Sequence, residues 1–183
     1  VNRDAGASRG WFSSSAVHSL TPFIHEIAMA VTDEEQGETL YDRWLERALE
    51  QNPAPEGKPP LARPRVGALG SGSDYTAFLD HIGVSALDMG ISGDGSSGTY
   101  HSLYDHPLWF KKFMDPGFKY SVTASRVLGI ALMRFADADV LPFDYESYGT
   151  QILEYIGEIE QQAAKASADG AKRVDFAGLR SAA

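Results

Sequence analysis

Cysteine is absent from all 183 residues, so neither a disulfide framework nor a cysteine-ligated zinc finger can hold this chain together. That absence assigns no compartment. Positive charge is scarce, with 16 Lys and Arg against 25 Asp and Glu and a formal net charge of −9. A protein that grips a phosphate backbone needs a basic face, so nucleic acid is not an expected partner. No window approaches the roughly 20 consecutive apolar residues of a membrane span, and no signal peptide opens the chain, so no membrane contact is expected from this segment. An initiator methionine is missing too. Val1-Asn2-Arg3-Asp4 reads as the last residues of a strand with no lead-in, and an apolar, helix-like pattern starting at Val174 stops at Ala183, so a fragment of a larger protein is expected.

Several catalytic signatures are also lacking. Gly93-Asp94-Gly95-Ser96-Ser97-Gly98 satisfies G-x-G-x-x-G in form, yet residues 99–107 read as loop, and without a helix N-terminus there is no phosphate cradle. Neither Gly70-Ser71-Gly72-Ser73 nor Gly95-Ser96-Ser97-Gly98 fits the G-x-S-x-G elbow of a serine nucleophile. His25-Glu26 lacks the second histidine of H-E-x-x-H, and His18 and His25 are spaced too widely for a ligand pair on one helix. His81 and His106 read as a helix-end cation and a loop residue.

Apolar residues make up 43% and charged residues 22%, the balance of a globular chain long enough for one full domain. Val17, Leu20, Ile24, Ile27, Ala28 and Val31 recur at helical spacing and predict a helix over 15–31. A second is predicted over 38–51, from Leu40, Trp44, Leu45, Ala48 and Leu49. Pro53, Pro55, Pro59, Pro60 and Pro64 then strip donors from the backbone and predict an extended surface connection. Ser71 and Asp74 resemble a capping box for a short helix to Ile82, Gly83 ends it, and residues 84–89 read as a buried strand, which together make half of an α/β unit. Asp115-Pro116 starts a helix to about Ala136, and Asp144 caps another to about Lys165. The layout therefore predicts an α/β portion over 1–114 followed by a helical, bundle-like portion over 115–183.

The exit of the glycine-rich run carries the chemistry. In Thr99-Tyr100-His101-Ser102-Leu103-Tyr104-Asp105 an imidazole stands beside a phenol, which suits a metal site whose second donor polarises a substrate. On residue type alone His101 is equally a surface-loop histidine, Tyr100 a packed aromatic, and Ser71 a helix cap. A strand-end Asp4 often merely caps the next turn.

Four blocks decide between these readings: residues 70–79 (Gly-Ser-Gly-Ser-Asp-Tyr-Thr-Ala-Phe-Leu), 100–105 (Tyr-His-Ser-Leu-Tyr-Asp), 115–120 (Asp-Pro-Gly-Phe-Lys-Tyr) and 140–144 (Val-Leu-Pro-Phe-Asp). In order and spacing they resemble the glutamate carboxypeptidase II family, which includes prostate-specific membrane antigen and, as a non-catalytic relative, the transferrin receptor. The resemblance runs over essentially the whole chain. It implies an α/β zinc-exopeptidase layer followed by a transferrin-receptor-like dimerisation domain, and peptide hydrolysis by a metal-bound hydroxide between two zinc ions. It places Asp4 on one zinc and His101 on the other, and makes Tyr100 the phenol that supports the oxyanion. The remaining ligands fall ahead of Val1 in the family, so this segment would carry only part of the site and would be inactive alone.

Ser71, Gly72 and Ser73 match the loop lining the subsite on the N-terminal side of the scissile bond, and Tyr155 matches half of the Lys-Tyr pair that holds a terminal carboxylate. The lysine position is Glu154, however, and two positions that are arginine in glutamate-specific members are Asp88 and Gly90. A neutral-peptide carboxypeptidase or an aminopeptidase is therefore expected rather than a glutamate-specific enzyme. The resemblance also implies an extracellular or periplasmic setting. Val122, Leu128, Ala131, Leu132 and Phe135, with Tyr148, Ile152, Tyr155, Ile156 and Ile159, offer more apolar surface than two helices can hide from each other, so a homodimer is expected. The alternative is a non-catalytic helical dimerisation or receptor-like module.

Overall fold

Six residues, Trp11-Phe12-Ser13-Ser14-Ser15-Ala16, alternate in burial with the period of two that a pleated strand imposes, and they form strand β1 (Trp11–Ala16). In this computed structural model residues 1–3, 8–54, 57, 59–93, 99–168 and 175–182 are described. Asp4, Pro55, Val174 and residues 94–98 of the glycine-rich run lie outside them. The helix expected over 15–31 is shorter than its apolar spacing suggests. A single 3-10 turn spans His18–Leu20, and α1 runs only from Thr21 to Ala30 (Thr21–Ala30). Pro22 sets that start, because its ring has no N–H and would clash with the carbonyl one turn back if the helix began earlier.

Strand β2 (Leu87–Ser92) pairs antiparallel with β1, Trp11 opposite Ser92 and Ala16 opposite Leu87. It lies three residues later than the strand expected over 84–89. A helical segment over 75–82, π-wound at Ala77–His81, ends at Gly83 with φ +68°, and residues 84–86 are spent leaving that turn. Isolated parallel bridges lengthen the sheet on both sides, Asn2 to Asp88 and Ser15 to Gly67. The layer is thus mixed, with its two named strands antiparallel. Phe12, Ala16, Leu87, Met89 and Ile91 line the buried face, whereas Trp11, Ser13, Ser15, Asp88, Gly90 and Ser92 share the open one.

The buried face is covered by α1 and by α2 (Leu40–Gln51), which opens on a cap in which Thr39 Oγ1 accepts from Asp42 N–H at 3.1 Å. Phe23, Ile24, Ile27, Ala28, Leu40 and Trp44 fill this core. A short helix α3 (Pro107–Trp109) runs into a π turn over Phe110–Met114. Then comes α4 (Lys119–Ala136), which adds Tyr120, Ala124, Val127 and Ala131 to the same cluster. Its start falls four residues after Asp115, yet Asp115 still caps it. Pro116-Gly117-Phe118 turn back, with Gly117 at φ +84° and Phe118 at +60°, and the fully buried carboxylate accepts from Tyr120 N–H at 3.1 Å, Ser121 N–H at 2.8 Å and Ser121 Oγ at 2.7 Å. Asp144 opens α5 (Glu146–Ala168) as expected, accepting from Glu146 N–H at 3.1 Å. The last element is α6 (Ala177–Ala182), tied to α5 by Arg180 on Glu160.

Candidate functional site

Thr99 is buried and anchors the turn that presents the Tyr100–His101 pair, its carbonyl accepting from Ser102 N–H at 2.9 Å and Ser102 Oγ at 2.7 Å. That turn drives His101 into the left-handed region, φ +58°, where a residue with a Cβ is uncommon and histidine is among the better tolerated. The imidazole stacks on the Tyr100 ring with centroids 3.8 Å apart and planes 22° apart. Both residues are exposed, Tyr100 to 71%, and neither imidazole nitrogen is hydrogen-bonded among the described residues. A backbone held in a sparsely populated region beneath an unengaged imidazole is the kind of local cost that accompanies a ligand or catalytic role.

A second group joins the first residues to the 70–76 loop. The Asn2 amide nitrogen donates to Ser73 Oγ at 3.0 Å and to Asp88 Oδ1 at 2.9 Å, while the Asn2 backbone bonds β2 through Leu87 O at 2.7 Å and Met89 N–H at 3.2 Å. Of the loop residues, Ser73 is therefore drawn to the end of the segment that leads to Asp4. Ser71 and Gly72 are exposed, Gly72 with φ +90°. The capping box expected at Ser71 is not formed. Helical structure begins only at Tyr75, whose hydroxyl accepts from Gly70 N–H at 3.2 Å, and Thr76 N–H closes the preceding turn on Ser73 O at 3.0 Å.

Tyr155 stands in a third group. Its hydroxyl lies 3.3 Å from His18 Nε2, and the rings of Tyr148 and Tyr155 both meet the imidazole edge-on. Burial pushes the His18 pKa below its ordinary value, opposed by the charge of Glu154, and His18 Nδ1 is buried without a partner. Glu154 is itself covered by a guanidinium, since Arg65 reaches it at 3.7 Å and Glu158 at 2.6 Å. Spacing gave no sign of His18 or Arg65, because both contacts join segments far apart in the chain. Asn2 was overshadowed by Asp4, although an amide two residues before a candidate ligand is a natural anchor. A cleft of about 460 Å³ runs beside β1 and α2, with Trp11, Trp44, Arg47, Leu61 and Arg65 among its walls.

Zinc takes three or four nitrogen or oxygen donors in tetrahedral array. Among the described residues no three His, Asp or Glu side chains converge on one point. His101 offers one free imidazole, and Asp4, the other candidate donor, lies outside the described residues. The donor set on view thus fits one edge of a metal site and not a whole one.

No protein-family model matches the sequence. Individual proteins do. A probable glutamate carboxypeptidase of Arthroderma benhamiae is 36% identical over 156 residues, which cover 80% of this chain and 19% of that protein. The probable glutamate carboxypeptidase LAMP1 of Arabidopsis thaliana is 32% identical over 163 residues, 88% of this chain and 22% of its own. Aminopeptidase NAALADL1 of Mus musculus is 29% identical over 157 residues, 79% of this chain and 20% of its own. The chain spans about a fifth of the length of these relatives.

Proposed function

The chain belongs to the glutamate carboxypeptidase II-like family, and from that footing we propose that it carries one portion of the site of a two-zinc exopeptidase. The observation that carries this reading is His101, an exposed imidazole in the left-handed region, without a hydrogen bond among the described residues and stacked on a phenol. His101 would hold one zinc and Asp4 the other. Bound there, zinc polarises a carbonyl and lowers the pKa of a water. Tyr100 would donate its phenolic proton in a hydrogen bond to the oxyanion that develops on the substrate. A preorganised donor of that kind lowers the barrier by about 3 kcal/mol. Ser71, Gly72 and Ser73 would line the subsite on the N-terminal side of the scissile bond. Tyr155, near the middle of α5 and beside His18, would contact the substrate.

The decisive experiment is metal analysis and peptide hydrolysis on the full-length form of the protein, with and without His101→Ala. The expected result is loss of one zinc per chain and of most activity. Full zinc content and full activity in the variant would remove His101 from the site. Peptides ending in glutamate should show no advantage over neutral ones, because Glu154, engaged by Arg65, stands where a lysine would attract a terminal carboxylate. We propose in addition that a second copy of the chain packs against the helical portion, where Val122, Leu132, Met133, Ile152 and Ile159 stay exposed.

A further inference from the structure

His18 sits where the sheet layer meets α5, and its frame is fixed from both sides. Val17 N–H donates to Ala86 O at 3.1 Å, which pins the 3-10 turn to the segment entering β2. Ser19 O accepts from Asp144 N–H at 2.8 Å, and Asp144 caps α5 through Glu146 N–H and Ser147 Oγ. The helix that carries Tyr155 is thus tied to the residue next to His18. Arg65 clamps the same stretch of α5 through Glu154 and Glu158. The rings of Tyr148 and Tyr155 then hold the imidazole edge-on, with centroids 5.8 and 5.6 Å away. Its Nε2 faces the Tyr155 hydroxyl at 3.3 Å, and its Nδ1 is buried with no partner among the described residues. That hydroxyl has no other hydrogen-bond partner among them either.

Two neutral tautomers are open to such a ring. A proton on Nδ1 leaves a buried N–H with nothing to receive it, an arrangement that folded proteins rarely accept. A proton on Nε2 leaves only a bare lone pair at Nδ1 and gives the N–H a receiver in Tyr155 Oη. Burial also holds the His18 pKa below its ordinary value, which keeps the ring mainly neutral at pH 7. A phenol oxygen that accepts from His18 does not spend its own proton there. We propose that His18 fixes the Tyr155 hydroxyl as a hydrogen-bond donor turned away from the imidazole, so that this position of the site takes an acceptor oxygen of the peptide and rejects an N–H. The inference rests on the reading that Tyr155 contacts the substrate, and it adds the residue that decides what Tyr155 can recognise. His18 is a positioning residue, acting through the phenol and touching no substrate itself.

The test has two arms. In the 183-residue chain labelled with nitrogen-15 at histidine, long-range proton–nitrogen spectra read the tautomer directly. The His18 proton should sit on Nε2 at neutral pH, and a ring protonated on Nδ1 would overturn the inference. In the zinc-loaded full-length protein, KM and kcat for a neutral peptide are compared across His18→Leu, His18→Gln, Tyr155→Phe and the double change of His18→Leu with Tyr155→Phe, with thermal melts as the folding control. Tyr155→Phe should raise KM by about tenfold and His18→Leu by about three- to tenfold, the worth of one hydrogen bond, with kcat moved less. The double change should raise KM no further than Tyr155→Phe alone, because a residue that acts only through the phenol then has nothing to act on. His18→Gln, which keeps a donor for Tyr155 Oη, should restore most of the loss seen in His18→Leu. Effects that multiply in the double variant would overturn the inference and leave His18 a structural residue. An unchanged KM in Tyr155→Phe would overturn it too, since the phenol would then meet no acceptor. Should the unmodified full-length protein cleave no peptide, the peptidase reading fails and the tautomer decides alone: Nε2–H supports the fixed donor, and Nδ1–H excludes it.

Discussion

His25 shows how a single side chain can make the fold sensitive to acid. It is buried on α1, its Nε2 lies 2.9 Å from Pro64 O, and the rings of Tyr41 and Trp44 close around it. Burial is the main influence and pushes its pKa below the usual 6.5, against the pull of the Pro64 carbonyl. A histidine with a depressed folded pKa binds fewer protons folded than unfolded, so stability rises with pH through the window just below 6.5 and falls as pH drops through it. His18 is shifted the same way. The melting temperature should therefore fall between pH 7 and pH 5, and His25→Gln, which keeps a donor for Pro64 and cannot be charged, should flatten that slope. A slope as steep in the variant as in the unmodified chain would exclude His25 as its source. Gly10 is a second residue whose identity is forced. A Cβ there would stand 1.9 Å from Ser92 O and 2.4 Å from Gly93 N, so Gly10→Ala must push the 8–10 segment off β2. Overpacking of that kind costs about 1–3 kcal/mol, readable as a lower urea midpoint at unchanged slope.

Among the elements, α4 depends most on one distant group. Asp115 serves two backbone N–H groups and a hydroxyl of the first turn from a wholly buried position, and Arg3, whose pKa burial lowers, feels its charge as the opposing influence. Asp115→Ala would leave those donors without a partner, at a cost of about 2–4 kcal/mol. Asp115→Asn should cost less, because one oxygen remains. A smaller loss for alanine than for asparagine in equilibrium unfolding would refute the capping role. This element also shows what the sequence discloses. Asp115, Pro116 and the end at Ala136 are legible from capping and periodicity, but the turn through Gly117 and Phe118 that delays the helix to Lys119 is not, because it rests on a left-handed phenylalanine that no propensity favours. Likewise Val17 and Leu20 keep helical spacing with Ile24, yet Pro22 and the pairing of Trp11–Ala16 with β2 override it. Pairing between residues some 75 apart leaves no local mark. The Tyr100–His101 motif could be read directly, since its chemistry is contiguous. The Asn2–Ser73–Asp88 and His18–Tyr155 contacts could not.

The molecule as a whole leaves apolar surface unspent, and its distribution bears on assembly. Of the residues that periodicity marked, Ala131 and Ile156 are buried, and Leu128 and Phe135 pack against the core. Val122, Leu132 and Met133 on α4, and Tyr148, Ile152 and Ile159 on α5, remain exposed by 37–71%. Residues 122 and 133 fall on one side of α4, and 148, 152 and 159 on one side of α5, by the spacing that sets neighbours on a helix. Single exposed apolar residues are ordinary, but two helices carrying such stripes make a patch that a monomer rarely leaves in water. A two-fold contact, the commonest arrangement of homo-oligomers, would let each stripe meet its own copy. The proposed homodimer thus predicts that Met133→Asp combined with Ile152→Asp lowers the association constant by at least about tenfold, the effect of 1.4 kcal/mol. Both positions are exposed, Met133 to 71% and Ile152 to 45%, so the chain should still fold. Sedimentation equilibrium at tens of micromolar, with circular dichroism as the folding control, reads the outcome. A folded chain that is a strict monomer before any substitution, or a dimer that the double change leaves intact, would exclude these stripes as the interface.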